Sequence, residues 1–374
     1  MKKYILFLFA ISLFANSYSQ EQPEAYKDGE WLRYKMSYSG FLRAGSAILE
    51  VKETDLEGKK VFRTKGTGWT SGMIKWFFKV DDVYESYFDK NDVKPYLFKR
   101  KIMDKRLTVR DIRKRKLTDK KQQPLVSLVC YTSQMSRLIN DDVDIILVGD
   151  SLGMTIYGFK NTLSVTLDMM INHGAAVVRS TSKPHIVVDM PFGSYEESPE
   201  VAFRSASKIM RETGAQSVKL EGGEEFADTI RFLNQRGIPV MGHIGLMPQR
   251  IQTLGGFFTQ GKTEKESERL INDAKTISEA GAFSMVVEAI PEEVATKITN
   301  SVEVPTIGIG GGRNCDGQIL VSHDILNLYG DFTPKFVKKY GNIDENILTA
   351  VKKYSHEVRN KIFPTEKHIF TSQK

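Results

Sequence analysis

Two rhythms of apolar residues divide the 374-residue chain. From about Glu21 to Arg100, apolar and polar residues alternate, as in "EWLRYKMSYSGFLRAGSAILEVKE", with glycines breaking the runs. A period of two puts one face on a core and the other in water, so this part is predicted to form antiparallel strands. "KVFRTKGTGWTSGMIKWFFKVDDVYESYFDK" continues the pattern, with Trp69, Trp76, Phe77 and Phe78 read as core or packing surface. From Pro124 the rhythm changes to short β-branched runs: "LVSLVCYT", "VDIILVGDS", "HIVVDMPFGS", "SVKLEGG", "PVMGHIGL", "FSMVVEAI", "PTIGIGGG" and, weakest, "PKFVKKY". Helical stretches lie between them, such as "SPEVAFRSASKIMRETGA", "EEFADTIRFLNQRG" and "TEKESERLINDAKTISEAGA". The first opens Ser-Pro-Glu, an N-cap with proline in the first turn, and each ends at a glycine that suits a C-cap.

Strands alternating with helices, and apolar on both faces, predict a parallel sheet. Eight of them over about 220 residues suit a (β/α)8 TIM barrel, with a doubly wound open sheet as the alternative. No G-x-G-x-x-G follows the first run, which disfavours a dinucleotide fold. The expected organisation is therefore a signal peptide over 1–19, a small and incomplete β-rich domain over 20–100, a basic linker and lead-in helix over 101–123, a barrel over 124–363 and a tail over 364–374.

The leader rests on "MKKYILFLFAISLFANSYSQ", where two lysines precede an apolar core and small residues follow. That core is too short to span a bilayer, and no other segment is apolar enough. Net charge is +7, yet Lys99 to Lys121 alone holds twelve Lys or Arg against three Asp. That segment has no aromatic residue, so it is read as a solvated linker and not as a nucleic-acid surface. Cys130 and Cys315 are too far apart in the chain to read as a metal motif or a disulfide framework, and Cys130 in "PLVSLVCYT" is read as a small buried hydrophobe.

The chemistry sits where the predicted strands end, which in a barrel is the catalytic face. Asp150 and Ser151 end the second run, Asp189 the third, Lys219 and Glu221 the fourth, His243 the fifth and Glu288 the sixth. Taken singly, an Asp at a strand end serves a helix cap, Lys219 an ion pair and His243 a satisfied core position. Together they place four carboxylates and a lysine at one mouth. Crowded carboxylates raise one another's pKa unless a cation intervenes, and an all-oxygen set suits Mg²⁺. Spacing alone leaves phosphate-sugar, enolate and aldol chemistry open.

Longer motifs narrow this. "DIILVGDSLGM", "TLDMMINHGAAVVR", "VVDMPFGSYEESPEVAFRSASKIMRETGAQSVKLEGGEE", "RGIPVMGHIGLMPQ", "TLGGF", "VVEAIPEEVA", "IGIGGGRNCDGQILVSHDILNL" and "TPKFVKKY" resemble the ketopantoate hydroxymethyltransferase family, from about Arg106 to Phe363. The resemblance implies a (β/α)8 barrel in a cytoplasmic homo-oligomer, a decamer. It implies transfer of a hydroxymethyl group from 5,10-methylenetetrahydrofolate to 3-methyl-2-oxobutanoate, the first committed step of pantothenate synthesis. It implies Mg²⁺ on Asp150 and Asp189, with Glu221 bound directly or through water. Substrate contacts fall on Asp150, Ser151, Asp189 and Lys219, and the general base on Glu288. Departures from the family pattern fall at Gly311, Arg313, Asn314 and Phe258, and none removes a named chemical group. The front segment, by "YSGFLRAGSAILEV" and "FFKVDDVYESYFDK…PYLFKR", resembles an uncharacterised family of secreted bacterial β-proteins. That implies an envelope location, in conflict with the cytoplasmic barrel. The competing readings are another Mg²⁺-dependent lyase or mutase acting on a pyruvate-like acid, and an exported envelope protein carrying an inactive barrel.

Overall fold

The computed structural model describes residues 27–38, 42–56, 58–70, 81–89, 95–102, 106–117, 123–328 and 333–370. The expected leader over 1–19, and with it Trp76, Phe77 and Phe78, lies outside the described residues. The chain divides into two compact units, Met1–Lys105 and Arg106–Lys374.

The first unit is a five-stranded antiparallel meander in the order β1-β2-β3-β4-β5. Its strands are β1 (Trp31–Tyr38), β2 (Leu42–Leu56), β3 (Lys59–Thr70), β4 (Asp81–Asp89) and β5 (Pro95–Ile102). The period-two alternation sorts side chains as expected. Val51, Phe62 and Phe88 form a buried cluster, with the two phenylalanine rings 6.0 Å apart. Arg63 pairs with Glu85 on the neighbouring strand. Trp69 is half-buried.

The second unit is a closed barrel of eight parallel strands, and most of its strand runs are buried on both faces, as helices outside and side chains inside require. The strands are β6 (Leu125–Val129), β7 (Ile145–Val148), β8 (His185–Asp189), β9 (Ser217–Lys219), β10 (Val240–Gly245), β11 (Ser284–Glu288), β12 (Thr306–Ile309) and β13 (Gly317–Val321). The helix Pro199–Thr213 starts as predicted: Ser198 Oγ accepts from the Val201 N–H, Pro199 opens the first turn, and Gly214 closes it at φ 75°. The helix Glu264–Glu279 carries a reciprocal capping box between Thr263 and Glu266.

The eighth strand is not the expected one. "PKFVKKY" forms a turn, with the Val337 N–H donating to Pro334 O. Strand eight is "GQILV", which pairs with β12 on one side and closes the barrel on β6 from Gly317↔Leu125 to Val321↔Val129. No helix separates β12 from β13. The alternation of strand and helix therefore does not mark it.

The basic segment also differs from a solvated linker. Its helix, Val109–Arg113, buries Ile112 completely. Arg106 donates to Val178 O and Thr181 Oγ1. Lys116 Nζ reaches Thr299 O at 2.6 Å and Asp316 Oδ2 at 2.8 Å. Asp316 in turn accepts from the Leu117 and Thr306 N–H groups. These contacts fix the lead-in segment across the N-terminal ends of the barrel strands, opposite the mouth.

Candidate active site

The predicted residues meet at the C-terminal ends of successive strands. Asp150 and Ser151 follow β7, Asp189 ends β8, Lys219 ends β9 with Glu221 two residues beyond, His243 lies in β10, and Glu288 ends β11. Asp150, Asp189, Lys219, Glu221 and His243 are each less than 5% exposed. The Glu288 side chain, 14% exposed, is the most open of the four carboxylates.

One network joins them. The Asp150 N–H donates to Asp189 Oδ2 at 3.0 Å. Lys219 Nζ lies 2.8 Å from Asp189 Oδ1 and 3.9 Å from Glu221 Oε1. His243 spans two carboxylates, with Nδ1 3.5 Å from Glu221 Oε1 and Nε2 3.2 Å from Glu288 Oε2. Gly149 makes the close approach of the first two strands feasible. A β-carbon there would lie 3.0 Å from both Ser151 Oγ and Val129 Cγ1, and 3.5 Å from Asp189 Oδ2.

Burial governs the charges. It pushes Asp150 well above the usual carboxylate range, and the Asp189 and Glu221 charges push it the same way, against Lys219 and a hydrogen bond from Gln249. Asp189 is raised too, because burial outweighs the opposing Lys219 charge. Glu221 is lowered despite burial, since His243, Lys219 and the Gln249 N–H all favour its anion. Burial and Lys219 depress His243, but its two carboxylate partners prevail and hold it at about 9. Lys219 is raised, as Asp189, Glu221 and Asp150 overcome its desolvation. The cluster carries four carboxylates against one lysine and one histidine. Asp150 has no ion-pair partner among the described residues, and Asp189 shares Lys219 with Glu221.

That deficit suits a hard divalent cation. Asp189 Oδ1 is buried and, although Lys219 is near, receives no aligned hydrogen bond. Glu221 is committed elsewhere, its Oε2 accepting from the Gln249 N–H at 3.0 Å. Among the described residues, no group of three or more His, Cys, Asp or Glu is arranged as a ready metal cage. Two carboxylates, with water and substrate oxygens completing the shell, are a usual complement for Mg²⁺.

Residues 106–366 match the family model described as Ketopantoate hydroxymethyltransferase. The 3-methyl-2-oxobutanoate hydroxymethyltransferase of Paramagnetospirillum magneticum is 55% identical over 266 residues, which span 71% of this chain and 96% of that protein. Its counterpart in Rhodospirillum rubrum is 53% identical over 270 residues, 72% of this chain and 96% of that protein. This chain belongs to the ketopantoate hydroxymethyltransferase family. Residues 33–112 match a second model, described as a protein of unknown function (DUF3108). Among solved structures, phosphonopyruvate hydrolase in complex with oxalate and Mg²⁺ covers 71% of this chain and 93% of its own, at 12% identity and a TM-score of 0.46. A likeness of that degree says nothing of chemistry.

A β-carbon on Gly311 would lie 2.9 Å from Val287 O, so glycine suits the close packing there. Arg313 and Asn314 are tied to the helix Glu292–Ser301, through Glu292 Oε1 at 3.0 Å and Thr296 Oγ1 at 3.0 Å. Phe258 is 58% exposed.

Three site residues had been given no role. Gln249 sits within "RGIPVMGHIGLMPQ" and Tyr195 within "VVDMPFGSYEES", both quoted motifs. Their side chains reach across to neighbouring strands, a relation that spacing along the chain does not encode. Tyr131, two residues past β6, donates to or accepts from Ser151 Oγ at 2.8 Å. It obeys the strand-end rule that found the others.

Proposed function

We propose that this chain is a 3-methyl-2-oxobutanoate hydroxymethyltransferase that uses 5,10-methylenetetrahydrofolate as one-carbon donor and gives 2-dehydropantoate for pantothenate synthesis. The observation that carries the reading is the single network of Asp150, Asp189, Lys219, Glu221, His243 and Glu288 at the barrel mouth, in a chain of this family.

Asp150 and Asp189 would hold Mg²⁺, with Glu221 reaching it through water. When bound, the ion supplies Lewis-acid polarisation of the substrate's keto group. The Lys219 ammonium offsets the substrate carboxylate as a point charge. The Ser151 hydroxyl, itself held by Tyr131, donates a hydrogen bond that orients the oxo acid. Glu288 takes the proton from C3, and the electron pair of that C–H bond passes into an enolate. His243, set between Glu221 and Glu288 at 3.5 and 3.2 Å, holds Glu288 in place through charge. The C3 carbon then bonds to the one-carbon unit released from the folate. Water breaks both C–N bonds of the methylene bridge, so tetrahydrofolate leaves and the unit reacts as formaldehyde; its C=O electrons pass to oxygen, which takes up a proton to become the new hydroxyl.

The chain acts in the cytoplasm, where the oxo acid and the folate are found, and as a homo-oligomer, a decamer by family resemblance. An exposed apolar stripe on the helix Ile343–Arg359, made of Ile347, Val351, Tyr354 and Val358, supports association. No helix among the described residues is long and apolar enough to cross a membrane.

The test is an assay of the full chain with 3-methyl-2-oxobutanoate, methylenetetrahydrofolate and Mg²⁺. Appearance of 2-dehydropantoate is expected. Absence of product, with cleavage of a pyruvate-like acid instead, would hand the site to a lyase or mutase.

A further inference from the structure

Gln249 is placed by a short 3-10 turn, Pro248–Arg250, just after β10. It is 4% exposed and meets four partners on three other parts of the mouth. Nε2 donates to Asp150 Oδ2 at 2.8 Å and to Met190 O at 2.9 Å. Oε1 accepts from the Tyr195 hydroxyl at 2.6 Å. The backbone N–H donates to Glu221 Oε2 at 3.0 Å. Met190 O can only accept, as can the Asp150 carboxylate when ionised, so turning the amide over would set its oxygen against theirs. Tyr195, 2% exposed, locks the other end, and its oxygen also accepts from the Glu221 N–H at 3.2 Å.

We propose that Gln249 is a positioning residue that fixes the Asp150 carboxylate for cation binding, and that Tyr195 acts through it by fixing the amide. The proposal rests on the reading that Asp150 holds a divalent ion. The chemistry explains the residue type. Asp150 is buried beside two other carboxylates, so a charged acid at 249 would add to the repulsion and a lysine would compete with the ion. A neutral amide supplies a donor to Oδ2 without either effect. It binds that one oxygen, so the carboxylate presents its other oxygen in a set direction. The Gln249 backbone N–H restrains Glu221 from the same turn, coupling two acidic residues that lie on different strands. Partners that orient a metal ligand in this way affect affinity by about 10–100-fold when removed.

The experiment is a calorimetric titration of the full chain with Mn²⁺, with thermal unfolding in metal-free buffer alongside it. Gln249→Met is expected to weaken Mn²⁺ binding about tenfold or more, and Tyr195→Phe about threefold. The double variant is expected to bind no more weakly than Gln249→Met, because Tyr195 reaches Asp150 only through the amide; weaker binding, by way of its bond from the Glu221 N–H, would overturn the part given to Tyr195. A merely structural role would lower the unfolding temperature and leave affinity unchanged. Affinity within about twofold of the native chain in both single variants, while Asp150→Ala loses binding, would overturn this inference alone. Unchanged binding in Asp150→Ala would overturn it together with the metal reading beneath it. Should Gln249→Met fail to fold, Tyr195→Phe decides by the same twofold margin.

Discussion

At Gly149 a single added methyl group would press on Ser151 Oγ and Val129 Cγ1 together. The absence of a side chain there lets an apolar strand turn directly into Asp150 and Ser151 at the mouth. Such residues were legible because in a barrel the strand ends carry the polar work. Their roles separate by substitution. Glu288→Gln keeps the hydrogen-bonding shape and removes the base, so metal and oxo-acid binding should stay within about twofold. Exchange of the C3 proton, followed by NMR in heavy water, should slow by about 10²-fold or more. Loss of metal binding in that variant would give Glu288 a different role. Asp150→Ala should weaken Mg²⁺ affinity by about 100-fold or more, beyond the effect of outer partners, as read by calorimetry. Tyr195 and Gln249 were not legible in the same way, because their importance lies in contacts across the mouth, 26 and 28 residues in sequence from Glu221 and, for Gln249, 99 from Asp150.

Among the elements, the helices announced their ends through caps, and the strands through β-branched runs. The exception was β13, whose "GQILV" follows β12 without a helix and hides inside a glycine-rich motif. "PKFVKKY" was the weakest of the eight runs, and "GQILV" instead pairs with β12 and with β6 to close the barrel. The element ends at the barrel floor offer a pH test. His185 at the start of β8 is fully buried, its Nδ1 2.9 Å from Leu107 O and its Nε2 2.9 Å from Ser217 Oγ. The carbonyl can only accept, so Nδ1 carries the proton and the serine hydroxyl donates to Nε2. Burial depresses its pKa to about 4. The unfolded chain takes up a proton near the ordinary value of about 6.5, and the native chain does not until about pH 4. His185 thus contributes stability that is complete above 6.5 and lost as pH falls toward 4, about 3 kcal/mol in all. Urea unfolding from pH 7 to 4 should show this slope, and His185→Gln should flatten it relative to the native chain.

For the whole molecule, the barrel holds its own core, floor and mouth, and the family match begins at residue 106, where the second unit begins. A chain of residues 106–374 should therefore fold and keep kcat within about twofold of the full-length protein, as steady-state assays would show. A large loss would mean that the β-rich unit belongs to the working enzyme. Ile347→Lys combined with Val351→Lys places charge on the exposed stripe of the C-terminal helix and should lower the assembly's mass in analytical ultracentrifugation. An unchanged mass would move the subunit interface elsewhere.

The sequence alone determined the class of the β-rich unit and of the barrel, since a period of two, a period near 3.6 and their punctuation are local properties of the chain. It also determined which acids and which lysine stand at strand ends, because that depends only on where each apolar run stops. Tertiary structure decided which strand closes the barrel and that the basic segment is anchored by Arg106 and Lys116. It decided too that Gln249 grips Asp150 from across the mouth. Each of these is a contact between residues distant in the chain, whose energy depends on burial and on partners that no local pattern specifies.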